Sequence, residues 1–310
     1  MRFFSRVPKI DFMAQRKVGF AVSVALTVAA ITLLATRGLN LGIDFTGGVL
    51  VEVIYPQSTE LADVRKHLEE AGYHNAVSQY VGGTQNVLIR LPPAENASSA
   101  EVSSRVLEAL AKDGAKVELR RIEFVGPQIG EELANDGSLA LLVAFILIFM
   151  YIAFRFEWKF SLGAIAALVH DAVMALGFLS LAWIEFDITT VAAILALIGY
   201  SNNETVVIFD RVRENLINLR RMEILEVVNL SVNQTLMRSI ITHLTTLLVC
   251  SALYALGGPT VHSFSVTLIV GVIVATYSSI YVSTNLAVLI GVSREDLLPP
   301  KLDEEADKMP

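Results

Sequence analysis

Three ionisable side chains, Asp171, Glu204 and Arg238, stand in stretches that are otherwise apolar. A charge deep in hydrocarbon costs about 2.5 to 3.5 kcal/mol on insertion scales, so each one needs a reason. A carboxylate that alternates between an ion pair with arginine and a protonated acid can carry a proton. The arginine stays charged throughout, which makes the carboxylate the switching partner. Antiparallel helices joined by a turn put residues equidistant from that turn at one level. The midpoint of 204 and 238 is Arg221, in the Leu219 to Met222 turn region, and that of 171 and 204 falls between Asp187 and Ile188. Asp171, Glu204 and Arg238 are therefore expected at one depth, where they could form a single cluster.

Ser201, Asn203, Thr205, Asn233, Gln234 and Thr235 supply polar support around it, as such side chains do inside a bundle. Two readings stand side by side. One is a buried Glu204–Arg238 ion pair that only fixes helix register, a role that burial alone does not make stabilising. The other is a proton relay through Glu204 and Arg238, with Asp171 as a further member. His243 reads as a hydrogen-bonded packing residue. His170, next to Asp171, is expected on a different helix face, because sequence neighbours on a helix do not face each other.

The elements that must hold these groups are apolar runs of about 20 residues, the length that spans a hydrocarbon core. Six occur, near Val18 to Thr36, Ser138 to Phe154, Phe160 to Ile184, Ile188 to Phe209, Val227 to Leu256 and Phe264 to Val292. The first reads as a retained helix, longer than a signal-peptide core and without a clear small-x-small site; cleavage is the alternative. Lys and Arg set the orientation. Five lie in the N-terminal tail, two (Arg155, Lys159) in the second-to-third loop, four (Arg211, Arg213, Arg220, Arg221) between the fourth and fifth runs and three in the C-terminal tail. Glu185 to Asp187 and Gly257 to Val261 hold none. Both termini are thus expected in the cytoplasm. The organisation that follows is a cytoplasmic tail at 1–17, a first transmembrane helix at 18–36, an extracytoplasmic α+β domain at 37–137, five more helices within 138–292 and a cytoplasmic acidic tail at 293–310.

Residues 37–137 carry nine basic and fifteen acidic residues, or -6 of the chain's net charge of -7. Their pattern alternates as strand (Gly48 to Tyr55), helix (Thr59 to Ala71, opened by a weak capping box at Thr59), strand (Asn75 to Val81), strand (Val87 to Leu91), helix (Ser98 to Lys112) and strand (Lys116 to Val125). This order is the split βαβ, ferredoxin-like arrangement, and fold alone names no ligand. The fold class is accordingly a polytopic α-helical membrane protein, six transmembrane helices with a ferredoxin-like extracytoplasmic domain inserted between the first and second.

Composition removes other classes. A hydrophobic share of 54%, a charged share of 18% and a mean hydropathy of +0.56 disfavour a soluble enzyme. The net charge of -7 disfavours nucleic acid as partner. One cysteine, Cys250, and scattered histidines provide no metal site. No phosphate loop or nucleophile motif occurs, so neither a bound nucleotide or other cofactor nor enzymatic catalysis is expected. The glycines of Asp44 to Gly48 and Gly126 to Gly130 read as backbone turns where helix meets sheet. The Arg211 to Arg221 run reads as a positive-inside anchor, and the tail from Glu295 as disordered.

The motifs carry a resemblance. Gly42-Ile43-Asp44-Phe45-Thr46-Gly47-Gly48, Val125-Gly126-Pro127-x-x-Gly130 and His170-Asp171 lead to the most specific part, Ile198-Gly199-Tyr200-Ser201-x-Asn203-Glu204-Thr205-Val206-Val207-x-Phe209-Asp210-Arg211-x-Arg213-Glu214-Asn215. Asn229-x-Ser231-x-Asn233-Gln234-Thr235-x-x-Arg238 and Gly271-Val272-Ile273-Val274-x-Thr276-Tyr277-Ser278-Ser279 complete it. In these motifs the sequence resembles the SecF branch of the SecD/SecF family of bacterial protein-export subunits, within the RND superfamily. The resemblance implies a subunit of the inner membrane that works with SecD beside the SecYEG channel. Proton flow would move external domains that act on precursor proteins. It also puts the family's proton-carrying acid on Glu204 and its basic partner on Arg238. Glu replaces the family's usual Asp, which keeps the carboxyl but moves it out by one methylene. A passive scaffold holding SecD and the channel together is the alternative. A small-molecule exporter of RND type is disfavoured, since such exporters commonly have two sets of spans and two external domains.

Overall fold

The computed structural model describes residues 8–92, 99–111 and 116–297. Residues 1–7 and 298–310, the latter with most of the acidic tail, lie outside the described residues. The chain runs α1 (Arg16–Thr36), β1 (Asn40–Leu41), α2 (Ile43–Thr46), β2 (Gly48–Ile54), α3 (Leu61–Glu70), β3 (Val77–Tyr80), β4 (Asn86–Leu91), α4 (Ser99–Leu110), β5 (Glu118–Val125) and α5 (Pro127–Arg155). It continues through α6 (Trp158–Ala182), β6 (Glu185–Phe186), α7 (Ile188–Asn218), α8 (Ile224–Leu256), α9 (His262–Ser278), a π-helical turn (Ser279–Ser283) and α10 (Thr284–Leu289).

Six segments are long and apolar enough to cross a membrane: Met13–Thr36, Pro127–Arg155, Trp158–Ala182, Ile188–Asn218, Ile224–Leu256 and Pro259–Leu289. Two outrun their apolar stretches, because helical hydrogen bonding continues wherever packing supports it. Helix α5 starts at Pro127, whose fixed φ suits a first turn, and α7 runs to Asn218. Half or more of the α6, α7 and α9 spans is buried, whereas α1, α5 and α8 expose most of theirs. The inner helices approach through small residues. An added Cβ at Gly177 would overlap Ala30 of α1, and one at Gly271 would overlap the Leu197 side chain of α7.

Strands β2 to β5 form one antiparallel sheet in the order β3-β4-β2-β5. The period-two pattern of β2 sends Val49, Val51 and Val53 against Val64 and Leu68 of α3 and Val102, Val106 and Leu110 of α4. Leu50 on the other face packs with Leu88 and Ile43. The capping box expected at Thr59 does not form. Helix α3 starts from Glu60 with no side-chain cap.

The sheet domain is fastened to the helices at one end. Strand β1 pairs in parallel with β6, in the loop between α6 and α7. Arg90 of β4 reaches this pair, with Nη2 3.0 Å from Glu185 Oε1 and Nη1 donating to the Leu41 carbonyl (2.6 Å) and Asn40 Oδ1 (3.1 Å). Arg121 donates to Thr260 Oγ1 at 2.9 Å, and Phe45 stacks on Phe186. The Asp44 carboxylate accepts from the Ile188 backbone N–H at 2.9 Å and so adds a cap to the first turn of α7. Asp187 is the N-cap residue, in a capping box with Thr190. The glycines read as turns are places of close approach: Gly130 of α5 lies against the Gly47 backbone, and Gly48, at φ 125°, leaves no room for a Cβ beside the Leu91 carbonyl.

Two outcomes follow for this joint. Gly48→Ala, strained at positive φ and obstructed by Leu91, should cost about 1–3 kcal/mol or more, read as a lower unfolding temperature of the purified protein. For the Arg90–Glu185 bridge, burial lifts the Glu185 carboxyl above its ordinary 4.5, with Arg90 opposing the rise. The folded state then holds that proton more tightly than the unfolded chain, so stability falls as pH rises from 4.5 through the raised value. Glu185→Gln should remove this slope, whereas Arg90→Ala, which leaves a half-buried carboxylate without its partner, should cost about 1–3 kcal/mol near neutral pH; thermal unfolding across pH measures both.

Candidate functional site

Asp171 sits on the inner face of α6 and is 1% exposed. A carboxylate so placed is tolerable only when donors replace its water. Ser201 Oγ of α7 donates to Oδ2 at 2.5 Å, Ser278 Oγ of α9 donates to the same oxygen at 2.8 Å, and His170 Nδ1 lies 2.9 Å from Oδ1. The histidine thus meets its sequence neighbour, contrary to expectation, because both side chains bend into the same gap. Ser278 is the last residue of α9 before the π-helical turn Ser279–Ser283. Such turns re-aim side chains within a helix and recur at functional sites.

Glu204 lies one turn along α7 from Ser201 and faces α8. It is 7% exposed. Its Oε1 accepts a short hydrogen bond from Ser239 Oγ, and its Oε2 is 3.6 Å from Nε2 of His243, itself buried. His243 Nδ1 is 2.7 Å from Thr276 Oγ1 of α9, and the Tyr200 ring lies beside the imidazole at 5.4 Å between centroids.

Arg238 does not join either carboxylate. It is exposed on α8 and, among the described residues, makes no ion pair with Glu204, although its charge is near enough to act on that carboxylate through space. The depth expected from the turns holds, since Glu204 meets Ser239, the residue beside Arg238. The direction differs, because successive residues on a helix are rotated by about 100°. The expected single cluster of Asp171, Glu204 and Arg238 is thus three separate placements: one carboxylate between α6, α7 and α9, one between α7, α8 and α9, and a cation on the outside.

The supporting residues divide in the same way. Ser201 serves Asp171. Asn203 is exposed, and Thr205 is fully buried with its hydroxyl unpartnered. Thr235 bonds the Ser231 carbonyl of its own helix at 3.1 Å. Gln234 Oε1 accepts from Asn215 Nδ2 at 2.8 Å, and Asn215 also reaches Ser231. Asn233 serves the chain's start: its side chain accepts from the Ile10 N–H (2.9 Å) and donates to the Ile10 carbonyl (2.8 Å), while Asn229 accepts from Phe12 N–H. Ser239 reads from sequence only as a polar neighbour of Arg238, and His243, Thr276 and Ser278 stay outside the site on that reading. The i,i+4 spacing of Ser239 and His243, which puts both on one face of α8, was the available signal. Among the described residues no group of three His, Cys, Asp or Glu side chains could hold a metal ion. Two caged carboxylates one helical turn apart, with hydroxyls and imidazoles as their neighbours, can hold and pass protons.

The comparisons with known proteins agree on one family. The profile described as protein export membrane protein SecD/SecF, C-terminal, matches residues 105–293, and the SecD/SecF GG motif matches residues 32–53, the stretch that contains Asp44, Gly47 and Gly48. A protein translocase subunit SecF from Pseudomonas aeruginosa is 45% identical over 98% of this chain and 99% of its own length. The SecF of Escherichia coli O157:H7 is 41% identical over 97% and 94%. A crystal structure of SecDF from Thermus, described as a translocon-associated membrane protein, superposes with a TM-score of 0.83 at 39% identity, over 91% of this chain and 39% of that one. A SecDF crystal structure in a super-membrane-facing form gives 0.70 at 37% identity, over 93% and 39%. The chain spans about two fifths of these solved SecDF chains. With six membrane-length helices and nearly full-length similarity to translocase subunits, the chain is a multi-pass membrane protein of the transport machinery that belongs to the SecD/SecF family of protein-export membrane proteins, in its SecF branch.

Proposed function

We propose that the chain works with SecD beside the SecYEG channel of the bacterial cytoplasmic membrane, where proton flow through its helices drives late translocation or release of precursor proteins. Both termini face the cytoplasm, by the distribution of Lys and Arg. The segment 37–137 is then an extracytoplasmic domain of the ferredoxin-like kind, a reading supported by its strand order and its two helices on one face. The tails (1–17 and 293–310) and the helices (18–36 and 138–292) complete the organisation.

The observation that carries this reading is the position of α7. Its middle bears Glu204 and the Ser201 that holds Asp171, and its first turn is capped by Asp44, from the segment that leads into the external domain. A change of charge at either carboxylate acts on a helix whose end is bonded to that domain. The energetics favour using both. One proton crossing 100 mV is worth about 2.3 kcal/mol and two about 4.6, close to the roughly 5.5 kcal/mol that turns a two-state equilibrium from 1:99 to 99:1. A passive scaffold is favoured by one feature, the exposed Arg238 on α8, since a cation on a lipid-facing surface is costly and a partner helix with a carboxylate would cover it.

Glu204→Gln keeps the hydrogen bond from Ser239 and removes the titrating group. It should leave recovery with SecD and channel subunits intact and abolish gradient-dependent release of exported protein; unimpaired release would refute the relay, and lost recovery would favour the scaffold. Arg238→Ala should reduce co-purification of SecD several-fold while Arg238→Lys largely retains it, as measured by quantitative pull-down from solubilised membranes.

A further inference from the structure

Thr276 bears on which nitrogen of His243 carries the proton. Its hydroxyl has one hydrogen and two polar neighbours, the Val272 carbonyl at 2.8 Å and His243 Nδ1 at 2.7 Å. A carbonyl can only accept, so with the hydroxyl donating to Val272, the usual back-bond of a threonine within a helix, Nδ1–H donates to Thr276 Oγ1. Nε2 is then the bare nitrogen. It is buried, has no hydrogen-bond partner and faces Glu204 Oε2 at 3.6 Å. A lone pair against an ionised carboxylate is repulsive. The arrangement is favourable when one proton lies between the two groups.

On this basis, and resting on the relay reading above, we propose that His243 is the immediate proton partner of Glu204, taking the carboxyl proton at Nε2 and returning it. In the transfer the Glu204 O–H bond breaks as the Nε2–H bond forms, Nδ1–H stays on Thr276, and Ser239 continues to donate to Oε1. The gap of 3.6 Å closes by a small rotation of either side chain, as proton-transfer contacts commonly tighten in use. Along α8, His243 is one turn nearer the sheet-domain end than Ser239, so a proton arriving from that end reaches the imidazole before the carboxylate. Of the other titratable or charged groups, the Tyr200 ring of α7 lies beside the imidazole and the Arg238 charge acts on Glu204 through space. The Tyr277 hydroxyl is engaged with the Gly19 carbonyl at 2.5 Å.

The test measures proton flux under an imposed potential in proteoliposomes holding the complex as isolated from membranes, with an entrapped pH dye. His243→Ala should lower the flux about ten-fold or more, within the range of general acid–base contributions. Added imidazole should restore at least about half of the loss, whereas pyrazole, of the same shape but far less basic, should not. Equal rescue by both compounds would mean a packing role and overturn the proposal, as would wild-type flux in His243→Ala. If that variant fails to assemble, His243→Gln decides: an assembled complex with about ten-fold lower flux supports the proposal, and wild-type flux overturns it. Glu204→Gln measured in parallel separates the two levels. Lost flux there with normal flux in His243→Ala rejects only the histidine step, and normal flux in both rejects the relay itself.

Discussion

A carboxylate inside an apolar bundle must be given donors, and the packing of α7 answers that demand twice. Asp171 receives two serine hydroxyls and an imidazole, and Glu204 receives a serine on one oxygen and a histidine opposite the other. Asp171 of α6 is tied to α7 through Ser201 and to α9 through Ser278, and Glu204 of α7 to α8 through Ser239, so the two carboxylates lock four helices together within about one turn. Small residues make this possible. Gly271 admits Leu197 and Gly177 admits Ala30, which brings backbones close enough for short side chains such as serine to reach across.

The same helix connects the bundle to the sheet domain. Asp44 and Asp187 both bond its first turn, and the parallel pairing of β1 with β6 lies directly before it. Arg90 fixes that pairing from the sheet, and partial burial of its partner Glu185 favours the protonated carboxyl. A helix is stiff along its axis, so displacement at the level of Glu204 and Ser201 reaches the Asp44 contact with little loss. At the other end of the bundle, Asn229 and Asn233 tie residues 10 to 13 to the start of α8, the helix that presents Ser239 and His243. Movement of α8 therefore also involves the strap that leads into α1.

The outer surface of α8 has a different character. Arg238 and Thr242 lie there among Ile240, Ile241, Leu244 and Leu248, exposed in the single chain. A guanidinium in that position acquires a low-energy setting only from a partner. The solved SecDF chains extend well beyond the two fifths matched here, and in the proposed assembly with SecD this is the surface a partner helix would cover.

Much of this was legible in the sequence. Apolar run lengths locate six spans, alternation locates the strands of the sheet domain in their order, and counting from turns brings Asp171, Glu204 and Arg238 to about one depth, within a turn of the contacts that Glu204 makes with Ser239 and Asp171 with Ser201. These are axial quantities, set by a fixed rise of about 1.5 Å per residue. What only the tertiary structure decided is direction around each helix axis. Arg238 and Ser239 share a depth, yet one points outward and the other to Glu204. His243 reads as packing until Thr276 and Glu204 are seen on its two sides, and Asp44 reads as part of a turn until the first turn of α7 lies against it. Rotation of a helix is fixed by the shapes of its neighbours, chiefly by which glycines and alanines let another backbone approach, and that information is spread over residues far apart in the chain.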